Sequence, residues 1–214
     1  HISVWLAPGM NIHRNPLCGR NFEYYSEDPL VAGMCAAADT RGIQSHAGIG
    51  TSIKHFAANN QEDNRMYVNE HISERAMREI YLKGYEIAVK EGGARSIMST
   101  YGPVNGIWTA GNYDLLTTIL RGEWNYDGFV MTDWWAMSNR EGYEATKTTH
   151  APMVSAGNDV FMVCTDCSDM GQDDVKEALE NGEITRGDLQ RNAMNVLHFI
   201  PVSYTHLRAH ETRH

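Results

Sequence analysis

A short apolar run, Phe129 to Thr132, ends in Asp133-Trp134-Trp135. A carboxylate at the end of such a run can act as a nucleophile or a proton acceptor. An indole beside it offers an aromatic face to the apolar side of a ring-shaped substrate. A second run, Thr51 to Phe56, carries Lys54-His55 in otherwise apolar text, and a third, Ala94 to Ser99, leads to Tyr101. Arg20 falls in the segment after a further apolar run, Ile2 to Ala7, and Arg65 in the segment after Thr51 to Phe56. In parallel α/β folds the reactive groups gather just past the carboxyl ends of strands. These residues would therefore bring a carboxylate, two or three cations, a phenol and an indole to one end of one sheet. Cations and hydrogen-bond donors keep a carboxylate ionised. A sugar needs that same mixture of donors, acceptors and aromatic surface.

Each residue also has a purely structural explanation. Lys54-His55 could be a strand end reaching solvent. Asp133 could cap the turn that follows it, and the tryptophans could be core. Arg20 and Arg65 could pair with Glu23 or Glu62 at the surface. It is the convergence of all of them on one sheet edge that structure alone explains poorly. Motifs for other chemistries are missing from residues 1–200: there is no G-x-S-x-G, G-x-x-x-x-G-K-[ST], H-E-x-x-H or G-x-G-x-x-G there. The aspartates at 166, 169, 173 and 174 break calcium-loop spacing and read as a solvated loop and helix start.

The elements that must position these residues alternate in type. Strands are expected at Ile2 to Ala7, Thr51 to Phe56, Ala94 to Ser99, Phe129 to Thr132 and Val160 to Val163. Asp28 with Pro29 opens a helix as N-cap and first-turn proline. Ser73-Glu74 opens a long one, carrying Met77, Ile80, Tyr81 and Ile87 at helical spacing and stopped by Gly92-Gly93. Leu115, Leu116, Ile119 and Leu120 mark a third helix, and Val175, Ala178 and Leu179 a fourth. Leu189, Ala193, Val196, Leu197 and Ile200 mark the last. Continuous apolar strands alternating with helices imply a parallel sheet covered by helices. Five strands suit a doubly wound sheet; a (β/α)₈ barrel, which needs eight, would have to be incomplete.

The chain has 214 residues and a net charge of −9, with 42% hydrophobic and 21% charged residues. That composition describes a folded globular chain. Its acidity argues against nucleic-acid or anionic-membrane partners, and no apolar stretch reaches the roughly 20 residues of a membrane span. The chain opens at His1 rather than Met and reads as cut from something longer. Four cysteines, Cys18, Cys35, Cys164 and Cys167, are too few for a disulfide scaffold. The single C-x-x-C at Cys164 and Cys167 lacks the second pair or histidines of a zinc site. Residues 201–214 stand apart: they carry +1 while the first 200 carry −10, and they hold His206, His210 and His214 without apolar periodicity. This string resembles a translated sequencing adapter and is expected to be a non-native tail.

Long segments carry a resemblance. LAPGMNIHRNPLCGRNFEYYSEDP (6–29), SIKHFAANNQEDNRMYVNEHISERAMREIYLKGYE (52–86), IMSTYGPVNG (97–106), LRGEWNYDGFVMTDWW (120–135) and ITRGDLQRNAMNVL (184–197) resemble glycoside hydrolase family 3, in its bacterial β-glucosidase branch. The resemblance covers nearly all of residues 1–200. It implies an incomplete (β/α)₈ barrel, lacking its first strands and the α/β-sandwich domain that follows. It also implies a retaining β-glycosidase that acts on terminal β-D-glucosyl residues without cofactor or metal. Asp133, in the T-D-W text, matches the nucleophile. Lys54 and His55 match a K-H pair that binds sugar hydroxyls, and Arg20, Arg65 and Tyr101 match further residues of that pocket. Trp134 walls it. Arg20, Lys54 and Arg65 are expected to keep the Asp133 side cationic. A ring-binding Asp of the family falls before residue 1, and the acid/base Glu falls in the missing C-terminal domain. Phe56 to Asn60 replaces the P-G-H-G loop of the family's N-acetylglucosaminidases, which favours the glucosidase branch. The bacterial relatives imply a cytoplasmic or periplasmic setting.

Two rivals stay open. One is a metal-dependent barrel hydrolase using Lys54, His55 and Asp133, although residues 1–200 hold no His-x-His pair. The other is a carbohydrate-binding homologue without catalysis. Were the acid inside this chain, Glu62, in the loop after Lys54-His55, would be the first candidate.

Overall fold

The computed structural model describes residues 2–163 and 172–202. Cys164, Cys167, Asp166, Asp169 and residues 203–214 of the expected tail lie outside the described residues. The strands are β1 (Val4–Trp5), β2 (Gly50–Phe56), β3 (Ser96–Ser99), β4 (Pro103–Val104), β5 (Ile107–Trp108) and β6 (Phe129–Thr132). The α-helices are α1 (Pro29–Gln44), α2 (Glu74–Ala76), α3 (Lys83–Lys90), α4 (Ala151–Ala156), α5 (Val175–Glu180) and α6 (Arg186–Phe199). A π-helical stretch, Met77–Tyr81, lies between α2 and α3, and another spans Asp114–Glu123.

Four strands form one parallel sheet in the order β1-β2-β3-β6. Such parallel neighbours with helical crossovers make a section of an α/β barrel wall. β3 and β6 align from Ser96 opposite Phe129 to Ser99 opposite Thr132, so both strands release their chains at the same edge. Both faces are covered, which explains the unbroken apolar text. On one face Ile53, Ile97 and Val130 pack with Leu82, Tyr85, Leu116 and Leu120 from the helices. On the other, Met98, Phe129 and Met131 meet Val196 and Phe199 of α6. The Phe129 and Phe199 rings cross edge to face at 5.1 Å.

Local chemistry sets the helix ends. Asp28 accepts from Leu30 N at 2.7 Å and Val31 N at 3.2 Å, with Pro29 as first helical residue. Ser73 accepts from Ala76 N at 3.2 Å. Thr185 and Asp188 form a reciprocal capping box at the start of α6. α1 and α3 cross closely because Gly33 faces Gly84. A Cβ on Gly33 would sit 2.9 Å from Ile87 Cδ1 and 3.0 Å from Gly84 Cα. No helix among the described residues is long and apolar enough to cross a membrane.

Two expected strands shrink. Ile2 to Ala7 reduces to Val4–Trp5. The chain still runs beside β2, through Lys54 N to Pro8 O at 3.0 Å and Met10 N to Lys54 O at 2.8 Å, but Pro8 has no donor of its own for the ladder. Val160 to Val163 reduces to one parallel bridge between Met131 and Val160. Beyond it, Met162 N turns to the Thr132 hydroxyl at 2.9 Å, and Met162 O takes Trp135 N at 2.8 Å, so no ladder continues. The β4–β5 hairpin and α4 were absent from the sequence-based expectation. The hairpin had a readable signal: Asn105-Gly106, with φ of 51° and 86°, between Val104 and Ile107.

Candidate active site

Asp133 is the first residue past β6, and its N–H donates to Ser99 O at 3.1 Å, which fixes the carboxylate above the β3–β6 edge. The residue is only 6% exposed. Its two oxygens do different work. Oδ1 accepts from Trp134 N at 2.8 Å, which is the turn-capping role. Oδ2 accepts from Arg65 Nη2 at 2.9 Å and lies 3.7 Å from His55 Nε2. Burial first, and then the charge of Asp133, push the Tyr101 phenol above its ordinary value, so it stays a donor.

Arg65 is held from several sides. Its Nε donates to Asn59 Oδ1 at 2.8 Å and lies 3.4 Å from Glu62 Oε1, and its guanidinium stacks 4.6 Å above the Tyr101 ring. The loop that carries it is tied to the β4–β5 hairpin by Glu70 N to Pro103 O at 2.9 Å. Asn105 donates to Ile72 O at 2.8 Å and accepts from Ile72 N at 3.0 Å.

Arg20 and Lys54 do not touch Asp133. Arg20 pairs with Glu23 and lies 4.0 Å from Glu62 Oε1, while Lys54 Nζ lies 3.6 Å from Glu23 Oε2. The expected three-cation shell around Asp133 is thus one direct cation, Arg65, with the other two facing a second carboxylate, Glu23. The reason is reach. Arg20 sits at the start of a 3₁₀ turn, Asn21–Glu23, that returns Glu23 beneath it. The pairing of Arg20 with Glu23 is therefore real, but the side chains are each 20% exposed rather than splayed into water. Trp134 is half-buried and packs against the Met98–Phe129–Met131 cluster, so the core reading of that indole also holds in part.

His55 is the most enclosed member, at 1% exposed. Asn11 clamps its backbone on both sides: His55 N donates to Asn11 Oδ1 at 2.8 Å, and Asn11 Nδ2 donates to His55 O at 2.8 Å. The Tyr85 hydroxyl donates to that same carbonyl at 2.8 Å. Ring Nδ1 lies 3.3 Å from Asn11 Oδ1 and 3.4 Å from the Tyr24 hydroxyl. Sequence reasoning passed over Asn11, Tyr24 and Asn59. The signal for Asn11 was a polar residue inside an apolar run; Tyr24 and Asn59 carried none.

Burial first, and then the charges of Arg20, Arg65 and Lys54, hold His55 well below the ordinary histidine value of 6.5, so the folded protein keeps it neutral. Burial shifts His150 the same way, against the pull of Asp173. An unfolded chain takes up protons as pH falls through 6.5, whereas these folded histidines resist. Stability should therefore drop on acidification below that value. Thermal melts across that range should show a falling midpoint, with a shallower fall in a His55→Gln variant. An unchanged slope in the variant would mean His55 is protonated inside the fold.

Among the described residues no group of three or more His, Cys, Asp or Glu side chains converges as a metal site would require. A wide cleft lined by Lys90, Arg95, Trp124, Tyr126 and His198 lies at the opposite, amino ends of β3 and β6. The reactive groups gather instead at the carboxyl ends.

Comparison with known proteins shows the family. The description "Glycosyl hydrolase family 3 N terminal domain" matches residues 1–199. A β-glucosidase of Ruminococcus albus is 56% identical over 199 residues, covering 93% of this chain and 21% of that protein. The crystal structure of a β-glucosidase from Paenibacillus barengoltzii superposes with a TM-score of 0.89 at 55% identity, over 94% of this chain and 22% of that one. β-Glucosidase 3B from Thermotoga neapolitana in complex with glucose gives a TM-score of 0.82 at 44% identity, over 92% of this chain and 27% of that one. The chain spans about a fifth of the length of curated relatives such as these. On the match across residues 1–199 and on these identities, the chain belongs to glycosyl hydrolase family 3.

Proposed function

We propose that the protein carrying this chain is a retaining β-glycosidase acting on terminal β-D-glucosyl residues, and that this chain supplies its nucleophile and much of its sugar pocket. The observation that carries the reading is the state of Asp133. One oxygen is tied down by the Trp134 amide and the other is oriented by Arg65 at 2.9 Å, at the carboxyl edge of a parallel sheet. A carboxylate so fixed is preorganised for attack, because little reorganisation remains when the bond forms.

In this scheme Asp133 Oδ2 attacks the anomeric carbon, the glycosidic bond breaks, and a glycosyl-aspartate ester forms. A glutamic acid from a domain beyond this chain protonates the departing oxygen and then, as a carboxylate, takes a proton from the water that hydrolyses the ester. Its carboxyl group should stand about 5–5.5 Å from Asp133, the spacing of retaining enzymes. Lys54 and Arg20 bind sugar hydroxyls beside Glu23, neutral His55 and Tyr101 donate to hydroxyls near the reacting carbon, and Trp134 walls the ring. No metal or organic cofactor enters the scheme. The names of the relatives, β-glucosidases from several bacteria, support the substrate class.

The test is stereochemical. Proton NMR of the full-length protein with an aryl β-glucoside should show the β anomer of glucose released first, ahead of mutarotation. First release of the α anomer would establish inversion and remove Asp133 as nucleophile. No release at all would favour the non-catalytic, carbohydrate-binding reading.

A further inference from the structure

We infer that Tyr24 is a positioning residue: its hydroxyl, held by Asn59, donates to Nδ1 of His55, fixing the ring as the Nε2–H tautomer with that hydrogen directed at the Asp133 side of the pocket.

Asn59 Nδ2 donates to the Tyr24 oxygen at 3.0 Å, so that oxygen is already serving as an acceptor. The amide orientation of Asn59 is fixed in turn, because its Oδ1 receives Arg65 Nε at 2.8 Å. The Tyr24 hydrogen then needs an acceptor of its own in a site where the residue is 6% exposed. Among the described residues, the acceptor within reach is His55 Nδ1, at 3.4 Å. Burial drives the Tyr24 phenol above its ordinary value, so the hydrogen is present at neutral pH.

The other end of the ring gives the same answer. Nε2 lies 3.7 Å from Asp133 Oδ2. With hydrogen on Nδ1, a lone pair would face a carboxylate and the Tyr24 hydrogen would point at an N–H. Asn11 Oδ1, the competing partner of Nδ1 at 3.3 Å, already accepts from His55 N at 2.8 Å and keeps one lone pair free. Tyr24 and Asn11 thus compete for Nδ1 in opposite senses, one as donor and one as acceptor, and Tyr24 decides the tautomer. The chain Asn59, Tyr24, His55 is a relay of orientation, as seen where an outer partner sets the face a working imidazole presents.

The tautomer assignment stands on geometry; only its consequence for turnover rests on the glycosidase reading above. The experiment labels the full-length protein with ring-¹⁵N histidine and assigns the His55 signals by their loss in His55→Gln. In the unsubstituted protein at neutral pH, Nε2 should carry the hydrogen and Nδ1 should not. In Tyr24→Phe, Asn11 should capture Nδ1–H and the pattern should invert. kcat/KM on an aryl β-glucoside should fall about 10–100-fold, the range for losing a partner that orients a working histidine. Asn59→Ala, which frees the Tyr24 hydroxyl to turn, should give a partial shift in the same direction. A hydrogen on Nδ1 in the unsubstituted protein overturns the inference, whether or not Tyr24→Phe folds. An unchanged tautomer in a folded Tyr24→Phe overturns it as well. The expected tautomers in a protein that releases no glucose would leave Tyr24 in place and remove the glycosidase reading instead.

Discussion

Asp133→Asn is expected to lower turnover by about 10⁴-fold or more while the protein stays folded. The amide is nearly isosteric, but it cannot form an ester that water later cleaves. Its oxygen can still accept from the Trp134 amide, which now occupies Oδ1 at 2.8 Å. Arg65 loses its charged partner yet keeps Asn59 at 2.8 Å and Glu62 at 3.4 Å, so no buried guanidinium is left bare. A mechanism-based fluoro-sugar offers an independent check: mass spectrometry of the inactivated full-length protein should find the label on the peptide containing Asp133. A label on any other carboxylate, Glu23 or Glu62 included, would sink the assignment.

Arg65→Ala is expected to reduce kcat/KM by about 10²–10³-fold, the scale of losing a buried charge-assisted donor next to reacting charge. It should also destabilise the fold by roughly 3–5 kcal/mol, because one partner of a largely buried ion pair is removed and the other stays. Four contacts disappear together: Asp133, Asn59, Glu62 and the face of Tyr101. Arg65→Lys separates charge from shape. The ammonium keeps the charge but can neither fork between Asp133 and Asn59 nor stack on Tyr101, so most of the activity loss should persist. Steady-state kinetics and urea midpoints on both variants make the comparison. Wild-type kcat/KM in Arg65→Ala would show that Arg65 only braces its loop.

The apolar runs placed β2, β3 and β6 to within two residues, because buried parallel strands announce themselves as unbroken hydrophobic text. Helix starts at Asp28 and Ser73 were equally legible, since a capping side chain acts on its own neighbours. What could not be read was pairing at a distance. Nothing local in the text says that Lys54 faces Glu23 rather than Asp133, or that the strand expected at Val160 to Val163 loses its ladder after one bridge. The residues of the candidate site were singled out as a set from their positions after strands and from a family resemblance. The division of labour within the set, with Arg65 rather than Arg20 or Lys54 as the cation on Asp133, and with Asn11 and Tyr24 beside His55, depends on side-chain reach and burial that spacing does not encode.

The parallel order β1-β2-β3-β6 has a kinetic consequence. Every pairing in it joins segments separated by a helical crossover, and the contacts that make the site span comparable or longer stretches of sequence. Arg65 meets Asp133 across 68 positions of sequence, and Asn11 meets His55 across 44. Loop closure over such spans must precede any reward from the contact, so chains of this contact order fold slowly. Helical signal should return early in refolding, because α1 and α3 are local. The carboxylate, its guanidinium and the clamped imidazole come together only after the last strand docks. The interval between the two is when unpaired strand edges stand exposed to neighbouring chains, and it is then that refolding yield would be lost to aggregation.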